Sequence, residues 1–219
     1  MPSNGKTIPE SVVRRLTRYL AYTQQLRAAG TEWISSQELA AALGLTPSTV
    51  RQDLSHLDFS GISKRGYETE GFERVLTRVL GADTLWSVVV VGAGNLGRAL
   101  ALHEDFSRRS FEIRGIFDSD TRKIGRKVGA LTVRPMEDLP QVVSREQVDL
   151  GIIAVPAAAA QPVADLLIVS GIRGILNLTL THVVAPAHVP VAAARIVASL
   201  QELAHAVKTA PGSPHPKHR

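Results

Sequence analysis

Gly92, Gly94 and Gly97 stand at the spacing G-x-G-x-x-G, directly behind the apolar run Trp86–Val91 and directly ahead of Arg98-Ala-Leu-Ala. A strand, a glycine turn and a helix in that order are what cradling a pyrophosphate requires. Gly92 permits the turn, Gly94 lets phosphates approach the backbone, and Gly97 lets helix and strand pack closely. Free N–H groups at the helix start, with the helix dipole, then hold the negative charge. Ala93, Asn95 and Leu96 complete the turn and are expected to bind the cofactor with the glycines. The next apolar run, Phe111–Phe117, ends on Asp118, twenty-one residues after Gly97, where a carboxylate accepts ribose hydroxyls. A carboxylate facing the 2′ position repels a phosphate there, so NAD(H) is expected over NADP(H). Arg122, Lys123 and Arg126 are read as solvated helix cations. The run Leu150–Val155 should end beside the glycine turn, putting Ala154, Val155 and Pro156 on the nicotinamide side. Asn177 and Thr179 either reach the same region or cap a turn.

A second constellation lies upstream, from Ser36 to Leu54. Ala40 is small where two helices cross, Gly44 permits a positive φ, Thr46 caps the following helix and Pro47 fits its first turn. Leu39, Leu43, Leu45, Val50 and Leu54 supply the apolar contacts of a helix-turn-helix. Ser48, Thr49, Arg51 and Gln52 then remain free for a DNA major groove, where Arg and Gln pair with base edges and hydroxyls bind phosphate. Farther on, Lys64 and Arg65 lie between Gly61 and Gly66, the pattern of a wing tip that enters a narrow minor groove. Residues 1–67 carry eight Lys+Arg and five Asp+Glu, a local excess of +3. One such module reads only a few base pairs, so double-stranded DNA implies a homodimer.

The elements that must position these groups follow from periodicity. Val12, Leu16, Tyr19, Leu20, Thr23 and Leu26 make one apolar helical stripe from Pro9 to Gly30. Phe72, Val75, Leu76, Val79 and Leu80 make a short amphipathic connecting helix ending at Gly81. From Trp86 onward short apolar strands (86–91, 112–117, 150–155, 174–178) alternate with helical segments, which predicts a parallel α/β sheet. The expected organisation is a winged-helix DNA-binding domain with its connecting helix over 1–81, a Rossmann-like parallel α/β domain over 82–194, a C-terminal helix over 195–207 and a disordered tail over 208–219. The 219 residues carry 25 Lys+Arg against 20 Asp+Glu, a net charge of +5, too small for a purely electrostatic nucleic-acid coat but compatible with one basic face. Zero cysteines exclude disulfides, thiol nucleophiles and iron–sulfur clusters, so any redox function needs a bound cofactor, and no metal is expected. The start of the chain has no apolar signal core, and the expectation is a soluble cytoplasmic protein.

Taken together, Val50-Arg-Gln-Asp-Leu-Ser, Ser63-Lys-Arg-Gly, Val91-Gly-Ala-Gly-Asn-Leu-Gly, Phe117-Asp-Ser-Asp, Ala154-Val-Pro and Gly171-Ile-Arg-Gly-Ile-Leu-Asn are similar to motifs of the Rex family of redox-sensing transcriptional repressors, over about residues 8–207. The resemblance implies a homodimer that binds operator DNA, senses the NADH/NAD+ ratio and releases DNA as NADH accumulates. It also implies a C-terminal helix swapped between subunits, here Arg195–Val207. The chain departs from the family pattern at Gln52, where Lys is usual, and in a shortened wing. It departs again where some members carry an Asp-Phe pair on the swapped helix: Arg195 and Ile196 stand there, with His103 and Ala21 at the partner positions. Those switch residues are therefore not carried over.

Two other classes compete. An NAD-dependent oxidoreductase or a CoA-binding enzyme subunit would share the Rossmann core, but hydride chemistry needs an acid/base near the nicotinamide. None of His103, His182, His188 and His205 has an evident carboxylate partner in its motif. A DNA-binding relative that no longer responds to NADH is the third class, favoured by the altered switch positions.

Overall fold

The structure, a computed structural model, describes residues 8–194 and 196–210. It divides into two compact units, Met1–Thr84 and Leu85–Arg219.

In the first unit, α1 (Glu10–Ala28) buries Val12, Leu16, Tyr19, Leu20 and Thr23 on one face; Glu10 in its first turn and Arg27 in its last both suit the helix dipole. Gly30, at φ 78°, turns the chain out of the helix. After β1 (Trp33–Ile34) comes α2 (Ser36–Leu43), whose start is a full capping box between Ser35 and Glu38 and whose end is Gly44 at φ 65°. The Thr46 side chain accepts the Thr49 N–H, and Pro47 opens α3 (Pro47–Leu54). β2 (Tyr67–Glu68) pairs antiparallel with β1, and α4 (Thr69–Val79) closes the unit. The core joins Leu16, Tyr19, Leu39, Val50, Phe72 and Leu76, all inaccessible to solvent. Phe59, Tyr67 and Phe72 stack with ring centroids 5.5–5.9 Å apart and tie the base of the wing to α4.

The second unit runs β3 (Trp86–Val91), α5 (Asn95–Ala101), α6 (Glu104–Arg108), β4 (Phe111–Asp118), β5 (Lys127–Val128), β6 (Leu131–Pro135), α7 (Leu139–Arg145), β7 (Leu150–Ile153), α8 (Ala160–Val169), β8 (Gly174–Asn177), β9 (Val191–Ala193) and α9 (Ile196–Thr209). The sheet order is β5-β6-β4-β3-β7-β8-β9, parallel throughout except for the β5–β6 hairpin. Without β5 this is the doubly wound order of dinucleotide-binding sheets, and it reverses direction between β3 and β7. The central strand β3 ends in the continuous run Val88–Val91 because both of its faces are buried.

Three expectations need correction. Residues 121–125 form turns instead of a helix, because the Asp120 carboxylate accepts the Arg122 N–H at 3.0 Å and Gly125 adopts φ 83°. The C-terminal helix runs to Thr209, so Lys208 and Thr209 are helical; the Thr209 hydroxyl bonds the His205 carbonyl at 3.0 Å, and no proline intervenes before Pro211. β6 and β9 join the sheet although their five and three residues gave no periodic signal. Arg195, the residues before Ile8 and the tail from Pro211 lie outside the described residues.

Candidate functional site

In the first unit the exposed side of α3 presents Ser48, Arg51 and Gln52, with Thr49 half-buried. Thr46 bonds both the Ser48 and the Thr49 hydroxyl at 2.8 Å, so the hydroxyls at the helix start form one connected group. Arg51 reaches the Ser36 hydroxyl at 3.3 Å, which leans it along α2 while most of its donors stay open. The opposite side of α3 holds Asp53, 1% exposed, whose carboxylate takes Arg15 twice and the Tyr19 hydroxyl at 2.6 Å. Burial disfavours that charge, yet the bonds from Arg15 and Tyr19 outweigh burial and hold the carboxyl below the usual carboxylate range. Burial and then the Asp53 bond push the Tyr19 hydroxyl far up, so it remains a donor at any physiological pH.

The wing is a minimal hairpin. Ile62 and Gly66 exchange two backbone bonds, at 2.7 and 2.9 Å, and the Arg65 N–H reaches the Ile62 carbonyl at 3.1 Å. Lys64 stands at the tip with φ 63°, a left-handed conformation that glycine adopts more readily. Gly66 has φ 95°, and a β-carbon there would overlap the Ile34 carbonyl across the strands. Arg65 lies over the Trp33 ring, 3.9 Å from its centroid, so it is not a freely solvated cation.

In the second unit a cleft of about 740 Å³ opens at the β3/β7 reversal. Of the ten residues expected there, Gly92, Gly94, Asn95, Leu96, Asp118, Ala154, Val155 and Pro156 line it, while Ala93 and Gly97 lie buried under its floor. The glycines divide their roles as the motif requires. A β-carbon on Gly92 would overlap the Ala154 carbonyl, and one on Gly97 would overlap the Gly92 carbonyl. One on Gly94 would meet no protein atom within 4 Å; that space is left for a ligand.

Asp118 is 8% exposed and already engaged. Its Oδ2 accepts the Ala93 N–H at 2.8 Å and the Lys123 ammonium at 2.9 Å, and its Oδ1 accepts the Asp120 N–H at 2.8 Å. Burial opposes the charge, but these three donors hold the carboxyl below its ordinary range. Lys123 is therefore a member of the cleft, a role its exposed-helix reading missed. Ser119, Asp120 and Met136 also line this side, with Pro162, Val163 and Leu166 of α8 opposite. The Phe117-Asp-Ser-Asp motif carries Ser119 and Asp120, whereas only the fold brings Met136, Pro162, Val163 and Leu166 there. Asn177 is buried instead of facing the cleft: it donates to the Thr181 carbonyl at 2.8 Å and accepts from the Thr179 N–H and hydroxyl, capping its own loop.

Of the altered switch positions, His103 accepts the Asp105 N–H at 3.3 Å and caps α6, Ala21 is half-buried on α1, and Ile196 begins α9. Along α9, Ile196, Val197, Leu200, Leu203 and Val207 are 45–62% exposed, and none of its residues is buried. An apolar groove of about 420 Å³ lies on the sheet, lined in part by Val88, Phe106, Ile152 and Leu176.

These features define a class of protein: a winged-helix unit joined in one chain to a Rossmann-type unit with an open nucleotide cleft at its topological switch point. Comparison with known proteins is specific. A "Putative DNA-binding protein N-terminus" family model matches residues 7–55, and a "CoA binding domain" model matches residues 83–181. The redox-sensing transcriptional repressor Rex of Carboxydothermus hydrogenoformans is 39% identical, covering 91% of this chain and 96% of its own. That of Rubrobacter xylanophilus is 41% identical, covering 81% and 83%. Crystal structures of RSP, a Rex-family repressor, superpose with a TM-score of 0.87 in complex with NAD+ and operator DNA (32% identity; 93% of this chain, 94% of that one). The TM-score is 0.85 in complex with NADH (34% identity; 93% and 96%). The chain belongs to the Rex family of redox-sensing transcriptional repressors.

Proposed function

We propose that this chain represses transcription as a homodimer that binds operator DNA through α3 and the wing, and leaves the DNA when NADH occupies the cleft of the second unit. One observation carries the reading: a helix-turn-helix with its polar side open and a switch-point cleft with its phosphate space empty of side chains belong to one chain. Ser48, Thr49, Arg51 and Gln52 face the major groove in this reading, and Lys64 and Arg65 enter the minor groove. The glycine turn holds the pyrophosphate on the first turn of α5, Asp118 faces the adenosine ribose, and Ala154, Val155 and Pro156 border the nicotinamide.

The homodimer forms through α9. Its five exposed apolar side chains would each contribute roughly 1.5–3 kcal/mol on full burial, and the groove on the partner's sheet is the apolar surface that receives them. The signal passes through this contact, as rearrangement of the two Rossmann units biased differently by NADH and NAD+. Bound NAD(H) supplies an oxidation-dependent ring charge, and this chain's residues bind and orient it without turnover. No helix among the described residues is long and apolar enough to cross a membrane. A repressor works where its operator DNA lies, and on that ground we propose a cytoplasmic location.

The test is a DNA-binding titration at fixed salt with NAD+ and NADH in turn, followed by assay of NADH consumption. Loss of DNA affinity with NADH, retention with NAD+ and no consumption support the proposal. Equal affinity in both would leave a DNA-binding protein without redox response, and steady NADH oxidation with a carbonyl substrate would favour the enzyme.

A further inference from the structure

We infer that Trp33 is a working part of the DNA interface: its indole is the platform that holds Arg65 ready for the groove. This rests on the proposed DNA-binding role of the wing and extends it to a residue no motif marked.

The argument begins with where Arg65 could go. Glu32, Glu68 and Glu70 line a polar cleft together with Arg27, Trp33 and Arg65. Among the described residues, none of these carboxylates pairs with Arg65; Arg27 is taken by Glu73, and Glu70 by Arg74. Arg65 instead lies 3.9 Å above the Trp33 ring. A guanidinium on an aromatic face is held by the ring quadrupole and by contact, yet keeps its full charge and its in-plane donors for a second acceptor. A carboxylate partner would have neutralised that charge and occupied those donors.

The backbone fixes the platform under the cation. Trp33 stands in β1 opposite Glu68, and Ile34 opposite Tyr67. Gly66, the residue after Arg65, passes so close to Ile34 that no side chain fits. Arg65 thus leaves the hairpin at a point clamped to the strand that carries Trp33. A flexible arginine on a short exposed hairpin would lose rotamer freedom on binding DNA, and the stack meets part of that entropic cost beforehand. Lys64, at the tip, has no such support.

The test is a double-mutant cycle in the full-length dimer, on a duplex bearing a site selected from random-sequence DNA by the wild-type protein. Trp33→Leu keeps apolar bulk without a π face, Trp33→Phe keeps the face, and Arg65→Ala removes the cation. Trp33→Leu is expected to weaken binding roughly 3- to 30-fold, the range from an exposed to a desolvated cation–π contact. Trp33→Phe should recover most of that loss, and Trp33→Leu should add little once Arg65 is replaced by alanine. Independent, multiplying losses, or a Leu variant that binds like wild type while Arg65→Ala is weak, would overturn the platform and leave the wing in place. Undiminished binding by Arg65→Ala would remove the wing itself, and the inference with it. Should the Leu variant unfold, Trp33→Ile, which suits the strand and also lacks a π face, measured with Arg65 intact and again with Arg65→Ala, still reports the coupling, because a purely structural role for the ring would not depend on residue 65.

Discussion

Asp53 of α3 receives two donors from Arg15 of α1, Nε at 2.6 Å and Nη2 at 2.7 Å, so the proposed recognition helix is riveted from behind to the first helix of the chain. The pair is bidentate and includes a nearly buried carboxylate, with the Tyr19 hydroxyl filling a further acceptor position. Asp53→Asn would leave the Arg15 charge partly buried beside a neutral amide. The first unit should lose roughly 2–3 kcal/mol, followed by thermal melting through Trp33 in a Trp86→Phe background. DNA affinity should fall with it, since α3 loses its fixed position.

The same pair sets an acid limit. Asp53 has a folded pKa below that of the unfolded chain, about 3.9, so its contribution is complete above that value and lost as the pH falls through the folded value. Melting temperature of the first unit should therefore drop below about pH 4 in wild type. In Asp53→Asn that part of the acid sensitivity should be absent. An identical acid profile in both would contradict the assignment.

Lys64 offers a clean way to remove a wing charge. Its φ of 63° is disfavoured for any residue with a β-carbon, so Lys64→Gly should stabilise the hairpin or leave it unchanged, within about 1 kcal/mol. The same change should lower the slope of log affinity against log salt by about one, and adding Arg65→Ala by about one more. A slope unmoved by the double variant would place the wing off the DNA.

Gly94 and Gly97 should fail differently. A side chain at Gly94 enters empty space at φ −77°, so Gly94→Val should fold with an unchanged melting temperature and lose NADH binding in calorimetry. At Gly97 even alanine meets the Gly92 carbonyl, and Gly97→Ala should destabilise the second unit itself. Equal melting temperatures for both variants would refute this division. Wild type should bind NADPH more weakly than NADH, because Asp118 stays ionised at neutral pH.

The stripe on α9 should determine assembly. Leu200→Asp with Leu203→Asp places two charges on the proposed dimer surface, and sedimentation should move from dimer to monomer. A dimer that survives both charges would assign the interface elsewhere.

Both constellations were legible because their chemistry is local. Gly44, Thr46 and Pro47 are demanded by one turn, and Gly92, Gly94 and Gly97 by another, each within six residues. What escaped depends on distant chain segments meeting. Arg15 and Asp53 lie 38 residues apart, and Trp33 and Arg65 are brought together only by β1–β2 pairing. Lys123 read as one more solvated cation because its partnership with Asp118 needs a tight turn where a helix was expected. Residue types alone could not separate the two outcomes open to Asn177, and burial decided for the loop cap. Arg195, one of the altered switch positions, lies outside the described residues.

Asp118 holds the Ala93 N–H inside the glycine turn while standing on the wall of the cleft. If Asp118 sets coenzyme preference as proposed, that preference and the integrity of the turn are inherited as a single trait. A lineage drifting toward a phosphorylated coenzyme would damage its phosphate cradle by discarding this carboxylate. Its neighbour Ser119 borders the same cleft without bracing the glycine turn, whereas the Asp120 carboxylate holds the 121–125 turn through Arg122. Redesign of ligand choice in this scaffold should begin at Ser119 and leave Asp118 and Asp120 untouched.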